Sequence, residues 1–207
     1  MKSKVAFTRA ETQTAAGVEA AVRRAMALVD WDRGLEPAAI FLKVNLLSRE
    51  VMPGQCTSPW VFAAVLAAVK ERFPAADLCF GDCEVATSRQ VDDAVRNWGL
   101  LDIGARYGAT FINLSTAPTR KVEVGPIFGQ LDIPQVLLDV EAIITIPVVK
   151  THCITPFTAA LKNQWGLLPR ARFKYHPVVH EAIAEVNNFF APQLKLGVAD
   201  MTVAMEG

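Results

Sequence analysis

The chain has 207 residues, 52% of them apolar and 20% charged, a length near the upper end of what one hydrophobic core organises and a composition that excludes disorder. Its 21 basic and 21 acidic side chains give no formal net charge, so nothing draws the whole molecule to nucleic acid or an anionic membrane, and any electrostatic preference is local. The N-terminus carries no long apolar run or small-residue cleavage site, and the stretch from Trp60 to Val69 is too short to cross a bilayer, so a cytoplasmic protein is expected.

The apolar spacing predicts a strand over 5–8, then a helix over 16–29 with Val18, Val22, Met26 and Val29 on one face. A buried strand over 39–44 ends at the polar pair Lys43 and Asn45. Thr57-Ser58-Pro59 opens a helix that runs from Trp60 to Phe73, with hydroxyls to cap it and proline at an early position. A short strand over 78–80 closes on Gly81-Asp82, a helix over 88–97 ends at Gly99, and a strand follows over 109–114. Residues 115–133 carry Pro118, Gly125, Pro126 and Gly129 and are expected to be mostly irregular, with a short hairpin strand at 121–124. After a brief helix over 136–140, the β-branched run 142–149 is the strongest strand, central and covered on both faces, with Lys150 leaving its carboxyl end. Helices over 156–165 and 177–190 and a last strand over 194–199, ending at Asp200, complete the chain.

Strands alternating with helices predict one α/β domain over 1–207, a mainly parallel sheet covered by helices on both faces. The chain stops a few residues past the last strand, with no covering helix. The expectation is therefore a C-terminally truncated fragment, or an edge completed by a second copy or another protein.

In open parallel sheets, ligands bind outside the carboxyl ends of the strands. Those ends supply Lys43 and Asn45, Asp82 and Glu84, Lys150-Thr151-His152, and Asp200. Polar residues follow strands in any protein, because loops are wet, but here each end offers a group suited to an anion or a metal. Between Lys150 and Glu181 the basic residues Lys150, Lys162, Arg170, Arg172 and Lys174 face a single acid, and all three histidines, His152, His176 and His180, fall in the same stretch. A solvated basic loop is the bland account. The functional one is an anion pocket, with lysines as point charges, arginines as bidentate clamps, and helix starts at Thr155-Pro156 and His176-Pro177 adding backbone N–H groups.

His176 and His180 are four apart, the spacing that places two imidazoles on one helix face for a metal, although Pro177 favours a capping position for His176. His152 after a strand suits a general acid or base. The cysteines Cys56, Cys79, Cys83 and Cys153 have neither zinc-ribbon nor ferredoxin spacing, so no iron–sulfur cluster is expected in this chain. Dinucleotide, Walker A and nucleophile-elbow signatures are absent.

Lys43-x-Asn45-Leu46, Thr57-Ser58-Pro59, Gly81-Asp82, Pro147-Val-Val-Lys150-Thr-His152, Thr158-x-Ala160-Leu-Lys-Asn163-x-x-Gly166 and Lys174-x-His176 together resemble the domain of unknown function 362 family, from about Phe41 to Asp200. Many members carry a ferredoxin-type module with two iron–sulfur clusters, which implies redox work, but the cysteines of that module are missing here. The strand-then-Lys-Thr-His layout is also loosely similar to the nickel-pincer lactate racemase group, whose histidines and lysines surround a phosphate-bearing cofactor.

The first reading is thus an enzyme or cofactor-binding domain holding a small phosphate- or carboxylate-bearing ligand at the strand ends. Lys43, Lys150, Lys162, Arg170 and Lys174 would neutralise the ligand, Asn45 and Asn163 would orient it, and His152, with Lys150 and Asp82, would carry the chemistry. The alternative is a non-catalytic partner or scaffold in an iron–sulfur redox assembly. Nucleic acid is disfavoured by the neutral total charge and sparse aromatics.

Overall fold

A computed structural model describes residues 3–85, 89–152 and 154–206, with the backbone alone for 170 and 171. Five parallel strands form the main sheet in the order β3-β2-β1-β6-β9, built from β1 (Ala39–Lys43), β2 (Asp77–Asp82), β3 (Ala109–Asn113), β6 (Ala142–Thr145) and β9 (Leu194–Gly197). β1 lies at the centre, paired with β2 on one side and β6 on the other. Its side chains alternate between the two faces of the sheet, so Ile40 and Leu42 join one apolar cluster while Phe41 joins the other.

The first cluster is covered by α1 (Ala15–Leu28), α2 (Pro59–Arg72), α3 (Val91–Asn97) and α4 (Leu100–Arg106). Thr14 caps α1 by accepting from Gly17 N, and Ser58 caps α2 with Pro59 in its first turn. The second cluster lies under α5 (Gln135–Asp139), α7 (Val179–Phe190) and the antiparallel hairpin of β4 (Thr119–Gly125) and β5 (Gly129–Pro134). The expected α/β architecture, a parallel sheet between two helical layers, is present.

Several local expectations are corrected. Residues 5–8 form no strand: Val5 and Phe7 are 92% and 78% exposed, and the segment is tied to α1 through Thr8 Oγ1 on Ala21 O and Arg24 Nη2 on Arg9 O. The stretch 115–133 is ordered mainly as the β4–β5 hairpin. The run 142–149 is two strands rather than one. β6 stops at Thr145, the chain steps sideways at Ile146-Pro147, and β7 (Val148–Thr151) begins a second sheet in the order β10-β7-β8. Pro147 has no N–H for the ladder, which is why a continuous central strand fails there. β9 makes the matching step: Val198 N donates to Thr145 O and Asp200 N to Pro147 O, and the chain continues as β10 (Asp200–Met205) where no strand was expected.

The helix expected over 156–165 is also corrected. Its first part pairs with β7 as β8 (Phe157–Thr158), α6 is one turn (Ala160–Asn163), and a 3-10 turn follows over Gln164–Leu167. No helix N-terminus forms at Pro156. A 3-10 run over Arg170–Val178 precedes α7, so His176 and Pro177 lie inside that run instead of capping a helix. The helix expected over 88–97 is α3, which starts at Val91; Ser88 is outside the described residues. No helix among the described residues is long and apolar enough to cross a membrane.

Candidate functional site

The carboxyl ends of β1, β2 and β6 meet around one ion pair. Lys43 Nζ lies 2.8 Å from Asp82 Oδ1, and both side chains are buried. The same ammonium donates to Val44 O at 2.5 Å and to Asn163 Oδ1 at 3.3 Å. Asp82 accepts two further backbone bonds, from Leu46 N and Cys83 N at 2.8 Å each. Asn163 Nδ2 closes the cluster on Thr145 Oγ1 and Lys43 O. Burial pushes the Lys43 amine down from its ordinary range, and the Asp82 carboxylate opposes that shift.

Gly166 is required at this knot. A β-carbon there would crowd Asp82 Oδ1 and lie 2.9 Å from Lys43 Nζ, and Gly166 O receives Cys83 N. In the sequence the signal for Gly166 is its place three residues after Asn163. Three expected ligand-handling residues, Lys43, Asp82 and Asn163, are thereby committed to one another.

A second buried lysine behaves differently. Lys150 lies within β7 rather than beyond a strand end, 6% exposed, and donates to two neutral acceptors: Asn45 Oδ1 at 2.9 Å and Gln55 O at 2.6 Å. No carboxylate among the described residues forms an ion pair with it. Burial is the main cause that lowers its pKa. Asn45 is itself fixed from the other side, because Thr57 Oγ1 accepts from Asn45 N and donates to Ile146 O. Thr57 therefore ties the β1 end to the β6–β7 step, a role hidden in sequence behind its resemblance to a helix cap.

Two residues beyond Lys150, His152 Nδ1 accepts from Ile154 N at 3.1 Å, which leaves Nε2 as the protonated nitrogen of the neutral ring. Its pKa is lowered first by burial and then by the positive charges of Lys162 and Lys150 and by His176. Lys150, His152, Lys162 and His176 thus share one electrostatic neighbourhood. Lys162, half-buried on α6, reaches it from a single helical turn.

The remaining candidates are placed elsewhere. Arg172 is buried, donating to Leu168 O and Glu84 O with its guanidinium over the Phe173 ring, so it joins the loop after β2 to the 3-10 run. The Arg170 side chain lies outside the described residues, as does Cys153. Lys174 is exposed, with its ammonium over Tyr175. Glu84 accepts from Gln90 N and Val91 N at the start of α3 and from Asn113 Nδ2. Asp200 Oδ2 takes Ser58 N at the start of α2. His176 Nδ1 engages Phe173 O and its ring stacks on Phe173, while His180 is exposed on α7. Among the described residues no group of three His, Cys, Asp or Glu side chains is arranged to hold a metal ion. A broad open cleft of about 1360 Å³ separates the 3–10 segment and α1 from β9, and neither Lys150, His152 nor Lys162 lines it.

Two solved structures share the fold. A crystal structure of a Thermotoga maritima protein, a structural-genomics target, superposes with a TM-score of 0.60 at 13% identity, over 94% of this chain and 52% of that one. The lactate racemase apoprotein from Thermoanaerobacterium thermosaccharolyticum superposes with a TM-score of 0.55 at 13% identity, over 88% of this chain and 48% of that one. The chain spans about half the length of each, and at this identity the likeness concerns the fold alone. No curated protein matches. The family model of the domain of unknown function DUF362 matches residues 40–207, a span that holds the Lys43–Asp82 knot and the Lys150–His152 cluster alike, and the chain belongs to that family.

Proposed function

We propose that the chain binds a small phosphate- or carboxylate-bearing ligand beside Lys150, His152 and Lys162, at the carboxyl edge of the sheet. The observation that supports this most directly is the Lys150 ammonium, buried against neutral acceptors with no described carboxylate in ion-pair range. A charge taken out of water without a counter-ion is costly, and an anion arriving from solution offsets that cost. Lys162 and His152 add donors on the solvent side, and His152, neutral near pH 7, is the group placed to exchange a proton with the ligand. The lactate racemase likeness is compatible with an anionic substrate but contributes only a fold-level analogy.

Calorimetric titration with inorganic phosphate and with oxalate tests the reading. The parent protein is expected to bind at least one of them. Lys162→Met keeps most of the apolar stem and should change stability by about 1 kcal/mol or less. It should weaken binding roughly tenfold or more, the scale of one charge-assisted hydrogen bond at about 1.5–3 kcal/mol. Equal affinities in parent and variant would return these lysines to the status of a solvated basic loop.

A further inference from the structure

Lys150 has a coordination unlike that of a salt-bridging lysine. An ammonium carries three protons, whereas a neutral amine carries two and a lone pair. The two acceptors around Lys150 Nζ, Asn45 Oδ1 and Gln55 O, are uncharged and account for two protons, and no third acceptor is found for it among the described residues. One buried oxygen nearby has no hydrogen-bond partner among the described residues. It is Thr158 Oγ1, on the residue directly across the β7–β8 ladder from Lys150. Side chains of directly opposed residues stand on the same face of a sheet, so Thr158 presents its hydroxyl alongside Lys150. Buried polar atoms left unsatisfied are uncommon in native interiors, and one directly opposite a buried amine suits a polar ligand.

We propose that Lys150 is an imine-forming lysine, whose amine condenses reversibly with the carbonyl carbon of a small aldehyde or α-keto acid. The placing of that ligand's carboxylate on Lys162 and His152 rests on the anion-binding reading above; the condensation does not. The amine lone pair attacks the carbonyl carbon and forms the C–N bond, while the carbonyl oxygen takes a proton from nitrogen to give the carbinolamine. Nitrogen then forms the C=N bond as the hydroxyl departs with a second proton as water, so one carbonyl and one amine give one imine and one water with no oxidant or reductant. Thr158 Oγ1 can pass a proton to the departing hydroxyl.

Four other described lysines lack this combination. Lys43 is ion-paired to Asp82 and completely enclosed, Lys4 and Lys121 pair with Asp30 and Asp132, and Lys174 lies exposed over Tyr175. Burial is the first cause lowering the Lys150 pKa; Cys56 and Asp82 oppose the shift and Lys43 adds to it. More of the reactive neutral amine is present at neutral pH as a result.

The test uses the full chain with glyoxylate and sodium cyanoborohydride at neutral pH, followed by peptide mapping. Lys150 should carry the reduced adduct ahead of Lys4, Lys121, Lys174 and Lys195 and be the main modified lysine at early times, since a lowered pKa leaves more neutral amine. Labelling spread evenly over the exposed lysines, with Lys150 unmodified, overturns the proposal. Lys150→Arg, which retains the charge but cannot condense, should lose the preferred adduct while the background labelling persists. Two further probes separate the readings. If oxalate binds but glyoxylate leaves Lys150 unlabelled, the condensation fails and anion binding stands. If neutral glycolaldehyde labels Lys150 as fast as glyoxylate does and neither phosphate nor oxalate binds, the condensation stands and the anion reading fails.

Discussion

Lys43, at the carboxyl end of β1, and Lys150, in β7 past the step, are both buried, yet they occupy opposite electrostatic situations. Lys43 has a carboxylate at 2.8 Å, a carbonyl and an amide oxygen, and Asp82 in turn accepts two backbone N–H groups. Every strong partner of that pair is internal, and the pair joins β1, β2 and the turn before Gly166. Lys150 has two neutral oxygens and no described carboxylate. The difference separates two jobs that strand-end polar residues perform: a closed ion pair fixes geometry, and an open charge has something left to bind. Sequence position alone does not tell them apart, because both lysines follow a short apolar run.

The largest expected effect comes from breaking the closed pair. Asp82→Ala leaves the Lys43 ammonium buried without its partner and should destabilise the protein by about 3–5 kcal/mol, read as a fall in the urea midpoint. A much smaller loss would mean that Lys43 is reached by solvent, and the contrast with Lys150 would disappear. Gly166→Ala pushes a methyl group into the same pair and should cost about 1–3 kcal/mol, as overpacking does. Lys150→Met should lie within about 1 kcal/mol of the parent, because relief of an uncompensated buried charge offsets the loss of two neutral hydrogen bonds. Its anion affinity, in contrast, should fall tenfold or more by the calorimetric measurement above. A strongly unstable Lys150→Met protein would assign Lys150 to the scaffold.

The alternation of strands and helices and the cap at Ser58 follow from local patterns that the sequence carries openly, whereas the centre of the sheet falls to β1 and not to the 142–149 run. The step at Ile146-Pro147 was also written there: a proline inside an otherwise strong strand argues against continuity, and the β-branched run outweighed it. What could not be read was the division of the strand-end residues between scaffold and open charge. Asp82 chooses Lys43 over Lys150 because a parallel register places Lys43 opposite Gly81, next to Asp82, whereas Lys150 lies beyond the step in another sheet. Long-range registers of this kind decide which charges are neutralised, and no local pattern encodes them. The same applies to Arg172, which sequence treats like Arg170 and Lys174 but which folding buries against Leu168 O and Glu84 O.

The smallest expected effect is a pH dependence, and its sign distinguishes an open positive cluster from a compensated one. His152 has its folded pKa lowered from 6.5 by burial, by Lys162 and Lys150, and by His176. Above the unfolded value both states hold the ring neutral and the full stability is present. As pH falls below about 6.5, the unfolded chain takes up a proton that the folded chain resists, so stability declines until pH reaches the folded value and then levels off. Ordinary acid loss from carboxylates such as Asp30, whose pKa Lys4 lowers from 3.8, belongs to a more acidic window. The measurement is the difference in urea midpoint between parent and His152→Gln, whose amide oxygen can still accept Ile154 N–H. That difference should be flat above pH 7 and should move in favour of His152→Gln between pH 6.5 and 5. Oxalate should shrink the movement, because a bound anion beside the ring offsets the repulsion that lowers its pKa. A parent that instead gains on His152→Gln as pH falls would place a carboxylate against His152 and close the cluster from within, as Asp82 closes Lys43.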